Sequence, residues 1–372
     1  MKNFFRNILM GAVMLSPFNA FAEINIAVIT PMGNDYKYFS EELINGAKIA
    51  VDEINNRGGL QGKKVNLIPI DDPCDDNLSL SAAQMMSLNK VADNKIYMVI
   101  GPTCGNAADD VAELLAKAKI LQVHPISVSK ARYNRAHKGI IHFTGYKEEQ
   151  AKELTRFVFS HYPQHTMAVF YDGKDMDMTS VADNIRLEYE KPDSKGSLIL
   201  INYAVQGGDI DAAVSKATDG EATLVYILGT HDNITKTIEK LKTQDSEIIV
   251  FADRYNLNKK FGRKMKNLSE DSFMMSLPPL TQNPNFASSL VRLRLWGIEP
   301  EGLMPYGYLS VKMWSNLVKE TKSFKYDKIL KQLEANPINT GWDTVTFING
   351  IPDKSLPYVV YRIRDGEYTQ VY

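Results

Sequence analysis

Polar side chains fall at or just after the ends of two short apolar strands that the sequence predicts. Ser127 and Ser129 close one of these strands, and Asp253 and Arg254 close another. Ligands of open α/β sheets bind in the crevice at the carboxyl ends of strands. Hydroxyls, a carboxylate and a guanidinium suit the polar groups of a small solute, because each makes directed or charge-assisted hydrogen bonds. These residues therefore predict recognition of a solute.

Motifs for catalysis or phosphate binding do not occur. The sequence has no G-x-S-x-G, no H-E-x-x-H and no G-x-x-x-x-G-K-[ST]. The glycine-rich run Arg57–Lys64 follows a helical pattern and precedes a strand, which predicts a helix cap and turn rather than a phosphate loop. Asp172–Asp177 alternates acids without the spacing of a calcium loop, and we interpret it as a polar loop near a cleft. No enzymatic activity, metal or cofactor is predicted.

The first 22 residues have the pattern of a secretory signal peptide. Lys2 and Arg6 precede an apolar run over residues 8–15, and residues 20–22 (Ala-Phe-Ala) form a small-x-small cleavage pattern. The apolar run is too short to span a bilayer as a helix. We expect cleavage after Ala22 and a mature chain in the periplasm of a cell with two membranes.

Charge and cysteine content narrow the possible partners. Without the leader, 41 basic residues face 44 acidic ones, a net charge of −3 with both signs interspersed, so no nucleic-acid partner is predicted. The two cysteines, Cys74 and Cys104, predict one disulfide in an oxidising compartment. Two free buried thiols or metal ligands are the alternatives, although the spacing makes a poor zinc site.

Short apolar strands alternate with helical patterns in two cycles. The strands of the first cycle cover residues 24–32, 65–72, 97–101, 120–128 and 139–145, and those of the second cover 166–173, 197–205, 223–230 and 247–253. Strands that are apolar on both faces and separated by helices predict doubly wound parallel sheets. The chain is too long for a single core, so we expect an α/β protein of two lobes.

The last third of the chain is predicted to complete both lobes. It contains a strand over 271–279, helices over 283–295, 306–322 and 326–336, a β segment over 343–350 and one closing strand over 358–372. Proline and glycine breaks near 143–146, 272–279 and 347–357 predict three crossings between the lobes. Lobe 1 is therefore expected over residues 23–143 plus 275–348, and lobe 2 over 144–274 plus 349–372.

Three motifs carry a resemblance to a known family. They are INIAVITPM at 24–32, GAKIAVDEINNRGGLQGKKVNLIPIDDPCD at 46–75 and VIGPTCG at 99–105. In this order and spacing the chain resembles the type I periplasmic solute-binding proteins, in particular the leucine/isoleucine/valine-binding proteins of ABC importers. The resemblance implies two doubly wound lobes on a three-strand hinge, a monomer, a Cys74–Cys104 disulfide, a small-molecule solute and an ABC-type membrane permease as partner.

The resemblance also implies ligand-binding positions in lobe 1. Tyr38 and Phe39 would form an aromatic wall, although both could serve only to pack their loop. Gly105 replaces the serine that usually contacts an α-carboxylate, with Asn106 next to it. The loop after the fourth strand would contribute Ile126, Ser127 and Val128, its hydroxyls shifted by one position to Ser127 and Ser129. His124, within the fourth strand, is interpreted as a core or rim histidine rather than a ligand-binding group.

In lobe 2 the family's positions are more strongly altered. Met176 replaces a tyrosine, Thr230 stands at the next aromatic position, and the acid that usually meets an ammonium maps to Asp253 or Arg254. An arginine in a desolvated cleft would repel an ammonium and favour a carboxylate, whereas Asp253 would keep amino-acid chemistry. Arg254 pointing out to solvent is the third alternative.

The function expected from these features is an exported receptor. It would bind an amino acid, or a small carboxylate or amide, in a cleft between the lobes and deliver it to a permease. The altered cleft positions motivate an alternative, a ligand-sensing or scaffold protein that regulates a partner in the cell envelope.

Overall fold

The computed structural model of the 372-residue chain describes residues 23–33, 37–88, 95–103, 107–132, 137–204, 209–229, 231–245, 247–253 and 272–372. Within these ranges the chain forms two large β-sheets, each flanked by helices. The predicted α/β class is confirmed.

The first sheet is parallel and is built from the amino-terminal part of the chain. Its strands are β1 (Ile24–Thr30), β2 (Val65–Asp71), β3 (Ile96–Ile100), β4 (Leu121–His124) and β5 (Ile140–His142), in the order β2-β1-β3-β4-β5. The helices that connect them are α1 (Lys37–Asn56), α2 (Asp76–Ser87) and α3 (Ala108–Lys117). Every residue of β1 is buried, as expected of a central strand with helices on both faces.

The next part of the chain alternates in the same way. It comprises α4 (Glu149–His161), β6 (Thr166–Tyr171), α5 (Met176–Tyr189), β7 (Ser197–Asn202), α6 (Ile210–Asp219), β8 (Leu224–Ile227), α7 (His231–Gln244), β9 (Ile249–Asp253) and β10 (Phe273–Ser276). The helix expected near residues 257–266 lies outside the described residues.

The last hundred residues add helices first and short strands afterwards. They form α8 (Ala287–Leu295), α9 (Met304–Thr321), α10 (Tyr326–Ala335), β11 (Ile338–Asn339), β12 (Thr344–Val345), β13 (Phe347–Ile348), β14 (Ile351–Pro352), β15 (Val359–Arg364) and β16 (Glu367–Gln370). β11 pairs with β12 and β13 with β14, each as a small antiparallel ladder.

The second sheet has the order β16-β15-β10-β9-β8-β6-β7. Strands β6 to β10 are parallel, whereas β15 runs antiparallel to β10 and β16 antiparallel to β15. The prediction of one closing strand over 358–372 is therefore wrong. Asp365 and Gly366 both have positive φ, 52° and 73°, and form a two-residue turn that folds the segment into a hairpin.

The chain passes between the sheets in three places. It leaves the first sheet after β5, leaves the second sheet after β10 and returns to the second sheet at β15. These passages fall in the stretches that are rich in proline and glycine. The limits of the two lobes, 23–143 with 275–348 and 144–274 with 349–372, stay a prediction.

Helices α1 and α9 cross at two glycines on one side of the first sheet. A Cβ atom on Gly46 would lie 1.9 Å from the carbonyl oxygen of Met304, and one on Gly307 would lie 2.2 Å from the carbonyl oxygen of Leu43. The two backbones are therefore in direct contact, which no larger residue would permit at either position. This contact ties a helix from the end of the chain to the amino-terminal sheet.

Candidate functional site

Four buried charges meet where the loops after β4 and β5 contact the second sheet. Arg132 ends a 3-10 turn that follows β4, and Lys147 lies between β5 and α4. Asp177 is in the first turn of α5, and Asp253 is the last residue of β9. Because a charge buried without a partner is strongly disfavoured, each of these groups needs an opposite charge close by.

Arg132 and Asp177 form a bidentate ion pair across this junction. Nε of Arg132 donates to Oδ1 of Asp177 at 2.8 Å and Nη2 donates to Oδ2 at 2.7 Å, with only 3% and 9% of the side chains exposed. The backbone N–H of Ser129 donates to the same carboxylate at 2.9 Å. Burial would raise the pKa of Asp177, but the Arg132 and Lys147 cations outweigh burial and lower it.

Lys147 and Asp253 form a second buried pair. Nζ of Lys147 donates to Oδ2 of Asp253 at 3.0 Å, and Nε2 of Gln150 donates to Oδ1 at 2.7 Å. Gln150 also contacts the hydroxyl of Tyr226 on β8. Burial alone would lower the pKa of Lys147, but the carboxylates of Asp253 and Asp177 outweigh it, so the pKa is raised. Lys147 therefore stays charged, and both oxygens of Asp253 accept protein hydrogen bonds.

Glu148 gathers three further hydrogen bonds at the same junction. Its Oε1 accepts from the hydroxyl of Ser129, the backbone N–H of Lys130 and the hydroxyl of Ser180, each at 2.8 Å. Ser129 and Lys130 follow β4, whereas Ser180 lies on α5. Glu148 consequently bridges the same two parts of the chain as the Arg132–Asp177 pair.

A cluster of hydroxyls lies at the carboxyl ends of β1 and β3. Oγ1 of Thr30 is 2.9 Å from Oγ of Ser40 and 3.1 Å from Oγ1 of Thr103, and the Ser40 hydroxyl donates to the carbonyl of Pro31. All three hydroxyl residues are buried. The cluster joins the carboxyl ends of β1 and β3 to the first turn of α1, next to the predicted aromatic residues.

The predicted lobe 1 residues that the structure describes fall into two groups. Ile126, Ser127 and Val128 are buried, and the hydroxyl of Ser127 is 3.1 Å from Oγ1 of Thr144. Tyr38 is exposed and Phe39 is half-buried against the core, both in the first turn of α1. The structure therefore buries Ser127 in the loop after β4, and it places Tyr38 on the surface of α1 and not in a loop.

In lobe 2, Met176 is the half-buried first residue of α5, directly before Asp177 of the ion pair. Several predicted site residues lie outside the described residues: Gly105, Asn106, Thr230, Arg254 and the disulfide partner Cys104. Their roles stay predictions, including the choice between Asp253 and Arg254.

His124 occupies the core. Its ring is fully buried and stacks on the ring of His142, with the centroids 5.5 Å apart. Burial, followed by the neighbouring His142, lowers the pKa of His124 well below its usual value. Burial lowers the pKa of His142 to about 4. Both rings are therefore neutral at physiological pH, in line with the interpretation of His124 as a core residue.

A cavity of about 380 Å³ opens at the carboxyl ends of the second sheet. Phe170 of β6 and Ile227 of β8 form part of its wall, and Asn233 and Thr237 of α7 add polar groups. Strand β6 is the point where the strand order reverses, with β7 on one side and β8 on the other. Such a switch point is where open α/β sheets hold ligands.

Sequence reasoning missed the residues that join the two sheets. The sequence pattern predicted only a turn followed by a helix at Lys147, Glu148 and Gln150. It predicted no role for Arg132. Asp177 belongs to the segment predicted as a polar loop near the cleft. The sequence feature that could have indicated this junction is the group of charged and amide residues directly after the break at 143–146.

Among the described residues, no helix combines the length and the apolar character needed to cross a membrane. Two α/β sheets with polar carboxyl-end loops, linked by three passages of the chain, define a two-lobed binding protein. The comparisons with known proteins agree with this class.

The sequence profile of the periplasmic binding protein family matches residues 23–367, and the chain belongs to that family. The Leu/Ile/Val-binding protein homolog 1 of Brucella suis is 21% identical over 100% of this chain and 99% of its own length. The crystal structure of the leucine binding protein LivK from Thermotoga maritima superposes with a TM-score of 0.79 at 18% identity, covering 94% of this chain and 98% of that chain. A solute binding protein of R. palustris in complex with benzoate has a TM-score of 0.74 at 11% identity, covering 94% and 95%. The predicted resemblance to leucine/isoleucine/valine-binding proteins is confirmed.

Proposed function

We propose that this protein is an exported receptor that binds a small solute between its two lobes and delivers it to an ABC-type permease. The observation that carries the proposal is the junction of Arg132, Lys147, Asp177 and Asp253, where loops at the carboxyl ends of the first sheet meet the second sheet. Closure of two lobes about a hinge sequesters a ligand at such a junction. Membership of the periplasmic binding protein family supports the same function.

The proposed ligand is an amino acid or a small carboxylate or amide. Asp253 already accepts hydrogen bonds from Lys147 and Gln150, so an incoming ammonium would have to compete with a buried lysine. This competition favours a solute without an ammonium. The benzoate complex of one structural neighbour shows that a protein of this fold binds a carboxylate that has none.

The residues proposed to contact the solute are those that the resemblance assigned. They are Tyr38, Phe39, Gly105, Asn106, Ile126, Ser127, Val128, Met176, Thr230, Asp253 and Arg254. The described residues among them lie in the loop after β4, at the start of α1, at the start of α5 and at the end of β9.

Export and the disulfide are part of the same proposal. We infer cleavage after Ala22, a monomeric periplasmic protein and a bond between Cys74 and Cys104. One contact supports the bond: the backbone N–H of Ala107 donates to the carboxylate of Asp76 at 3.0 Å, which ties the chain just after Cys104 to the chain just after Cys74. The family is itself periplasmic.

A thermal-shift screen of the ligand-stripped mature protein tests the proposal. Amino acids, small carboxylates, amides, sugars and short peptides are added singly, and a solute at about 100 times its dissociation constant stabilises by about 2.7 kcal/mol. We expect carboxylates or amides to raise the melting temperature most. A response to amino acids alone would instead indicate that Asp253 binds the ammonium group of the solute.

Uptake measurements separate a receptor from a regulator. A strain without the protein should lose uptake of the solute that the screen identifies. If no compound of the panel raises the melting temperature and the deletion strain takes up every panel compound at the wild-type rate, the receptor function is overturned and a ligand-sensing or scaffold protein of the envelope is favoured.

A further inference from the structure

A second cavity, of about 530 Å³, lies at the opposite end of the first sheet from the carboxyl-end loops. Lys95 and Tyr97 line it from the amino end of β3, and Lys119 from the turn before β4. The loop between α9 and α10, residues 322–325, closes it on the other side. We call this cavity the lysine–aromatic pocket.

The pocket carries a strong positive charge. Four lysines line it, Lys95, Lys119, Lys322 and Lys325, against one carboxylate, Asp327, which gives a formal charge of +3. The whole chain has a net charge of −1. Asp327 pairs with Lys119 at 2.7 Å, and both side chains are more than half exposed, so solvent screens this pair. Local positive charge on an acidic protein attracts anions to this face.

Aromatic rings contact one lysine of the lining, Lys95, and one lysine beside it, Lys63. The rings of Tyr97 and Phe324 pack with centroids 5.6 Å apart. The ammonium of Lys95 lies 5.9 Å from the Tyr97 ring, and the ammonium of Lys63, just outside the lining, lies 5.5 Å from the Phe324 ring. Cation–π contacts of this kind orient a lysine without neutralising it. Each ammonium consequently keeps its charge available for a ligand.

The cations are also crowded. Burial, followed by repulsion from Lys119, lowers the pKa of Lys95. An anion placed between the two ammonium groups would relieve that repulsion. The repulsion between Lys95 and Lys119 therefore favours the binding of an anion, as the formal charge of +3 does.

The loop that supplies Lys322 and Lys325 is fixed by its own hydrogen bonds. Lys322 has a left-handed backbone, with φ 49° and ψ 37°, at the end of α9. The backbone N–H of Lys325 donates to the hydroxyl of Ser323 at 3.1 Å, and the backbone N–H of Ser323 donates to the carbonyl of Val318 at 3.2 Å. A preorganised loop lowers the entropy lost on binding.

We propose that the lysine–aromatic pocket binds phosphate groups. Lysine is a common phosphate ligand that acts as a point charge, and a multiply charged phosphate matches the formal charge of +3 better than a single carboxylate does. The phosphates could belong to a free phosphate ester or to the headgroups of an anionic lipid surface. The site is remote from the proposed solute cleft and does not depend on it.

The test uses the mature chain and two probes, inorganic pyrophosphate in calorimetry and phosphatidylglycerol vesicles in co-sedimentation, with phosphatidylcholine vesicles as the neutral comparison. The pocket variant is Lys322→Gln/Lys325→Gln. The matched control is Lys328→Gln/Lys331→Gln, which removes the same charge from exposed positions of α10 outside the lining. Melting temperatures confirm that all variants fold.

We expect pyrophosphate, the vesicles or both to bind the wild type. Binding should weaken about tenfold in the pocket variant and less than about twofold in the control, and it should fall as salt rises from about 0.02 M to about 0.2 M. Pyrophosphate binding alone assigns a free phosphate ligand, and vesicle binding alone assigns a lipid surface. No binding of either probe, or equal losses in both variants, would overturn the proposal.

Discussion

Lys147 and Asp253 neutralise each other inside the protein. Removing one of the two charges should therefore lower the free energy of unfolding more than removing both. Lys147→Met leaves a buried carboxylate without its cation and should lower the free energy of unfolding by about 3–5 kcal/mol. Lys147→Met/Asp253→Leu removes both charges and should recover most of that loss. Urea unfolding at neutral pH measures both variants.

The control for this prediction is Lys152→Met, on the exposed face of α4, which should change stability by less than about 0.5 kcal/mol. Equal losses in the single and double variants would show that packing, and not the ion pair, determines the effect.

Glu53 provides a second prediction for a single residue, through pH. Its buried carboxylate accepts from the hydroxyl of Tyr308 at 2.6 Å and pairs with Arg292 at 2.6 Å and Lys312 at 3.1 Å. Burial would raise the pKa of Glu53, but the Tyr308 and Lys312 contacts outweigh it, and the pKa falls below its ordinary 4.5. The charged Glu53 therefore stabilises the folded protein fully at pH values above its pKa in the unfolded chain. This stabilisation is lost as the pH falls through the lower pKa of Glu53 in the folded protein.

Comparison of the wild type with Glu53→Gln isolates this group from the other carboxylates. The wild type should have the higher free energy of unfolding at about pH 6.5, and the difference between the two proteins should be smaller at about pH 3. A gap that stays constant between the two pH values would contradict the assignment.

Sequence reasoning located individual residues better than their partners. It placed Asp253 at the end of a strand from local pattern alone, because strand ends are local features. Lys147 lies 106 residues away, and only the tertiary fold brings it to Asp253. The hydroxyls of Thr30, Ser40 and Thr103 were missed for the same reason.

At the scale of elements, the crossing of α1 and α9 depends on two glycines. Gly46→Ala would place a methyl 1.9 Å from the carbonyl oxygen of Met304, which forces the helices apart. We expect a loss of about 1–3 kcal/mol or more in the free energy of unfolding, measured by urea.

Gly33→Ala is the matched control, because nothing lies within 4 Å of its Cβ position. It should leave stability within about 0.5 kcal/mol of the wild type. A Gly46→Ala variant as stable as this control would refute the close crossing.

Most elements could be predicted because apolar periodicity and breaker residues are local signals. There were two exceptions: the two short ladders of β11 to β14, where one β segment over 343–350 was predicted, and the carboxyl-terminal hairpin. Strand-forming residues lie on both sides of the Asp365–Gly366 dipeptide, and this dipeptide turns the chain. The turn signal is therefore present in the sequence, and the prediction of one strand gave it less weight than the strand-forming residues on either side.

At the scale of the whole molecule, three passages of the chain could be anticipated from proline and glycine breaks. The relative placement of the sheets could not, since it depends on Arg132, Glu148 and Asp177, whose partners are set by packing. Arg132 and Asp177 are 45 residues apart in the chain. Arg132 lies between β4 and β5 of the first sheet, whereas Asp177 lies between β6 and β7 of the second.

The Arg132–Asp177 pair should therefore influence how far the lobes open. Asp177→Asn removes the charge but keeps the side-chain shape, and breaking a buried pair of this kind shifts an equilibrium by about a hundredfold or more. We expect a larger radius of gyration for the solute-free protein in X-ray scattering. Asp183→Asn, on an exposed turn of the same helix, is the control and should leave the radius unchanged. If Asp177→Asn scatters like this control while remaining folded, the pair stabilises the junction without controlling closure.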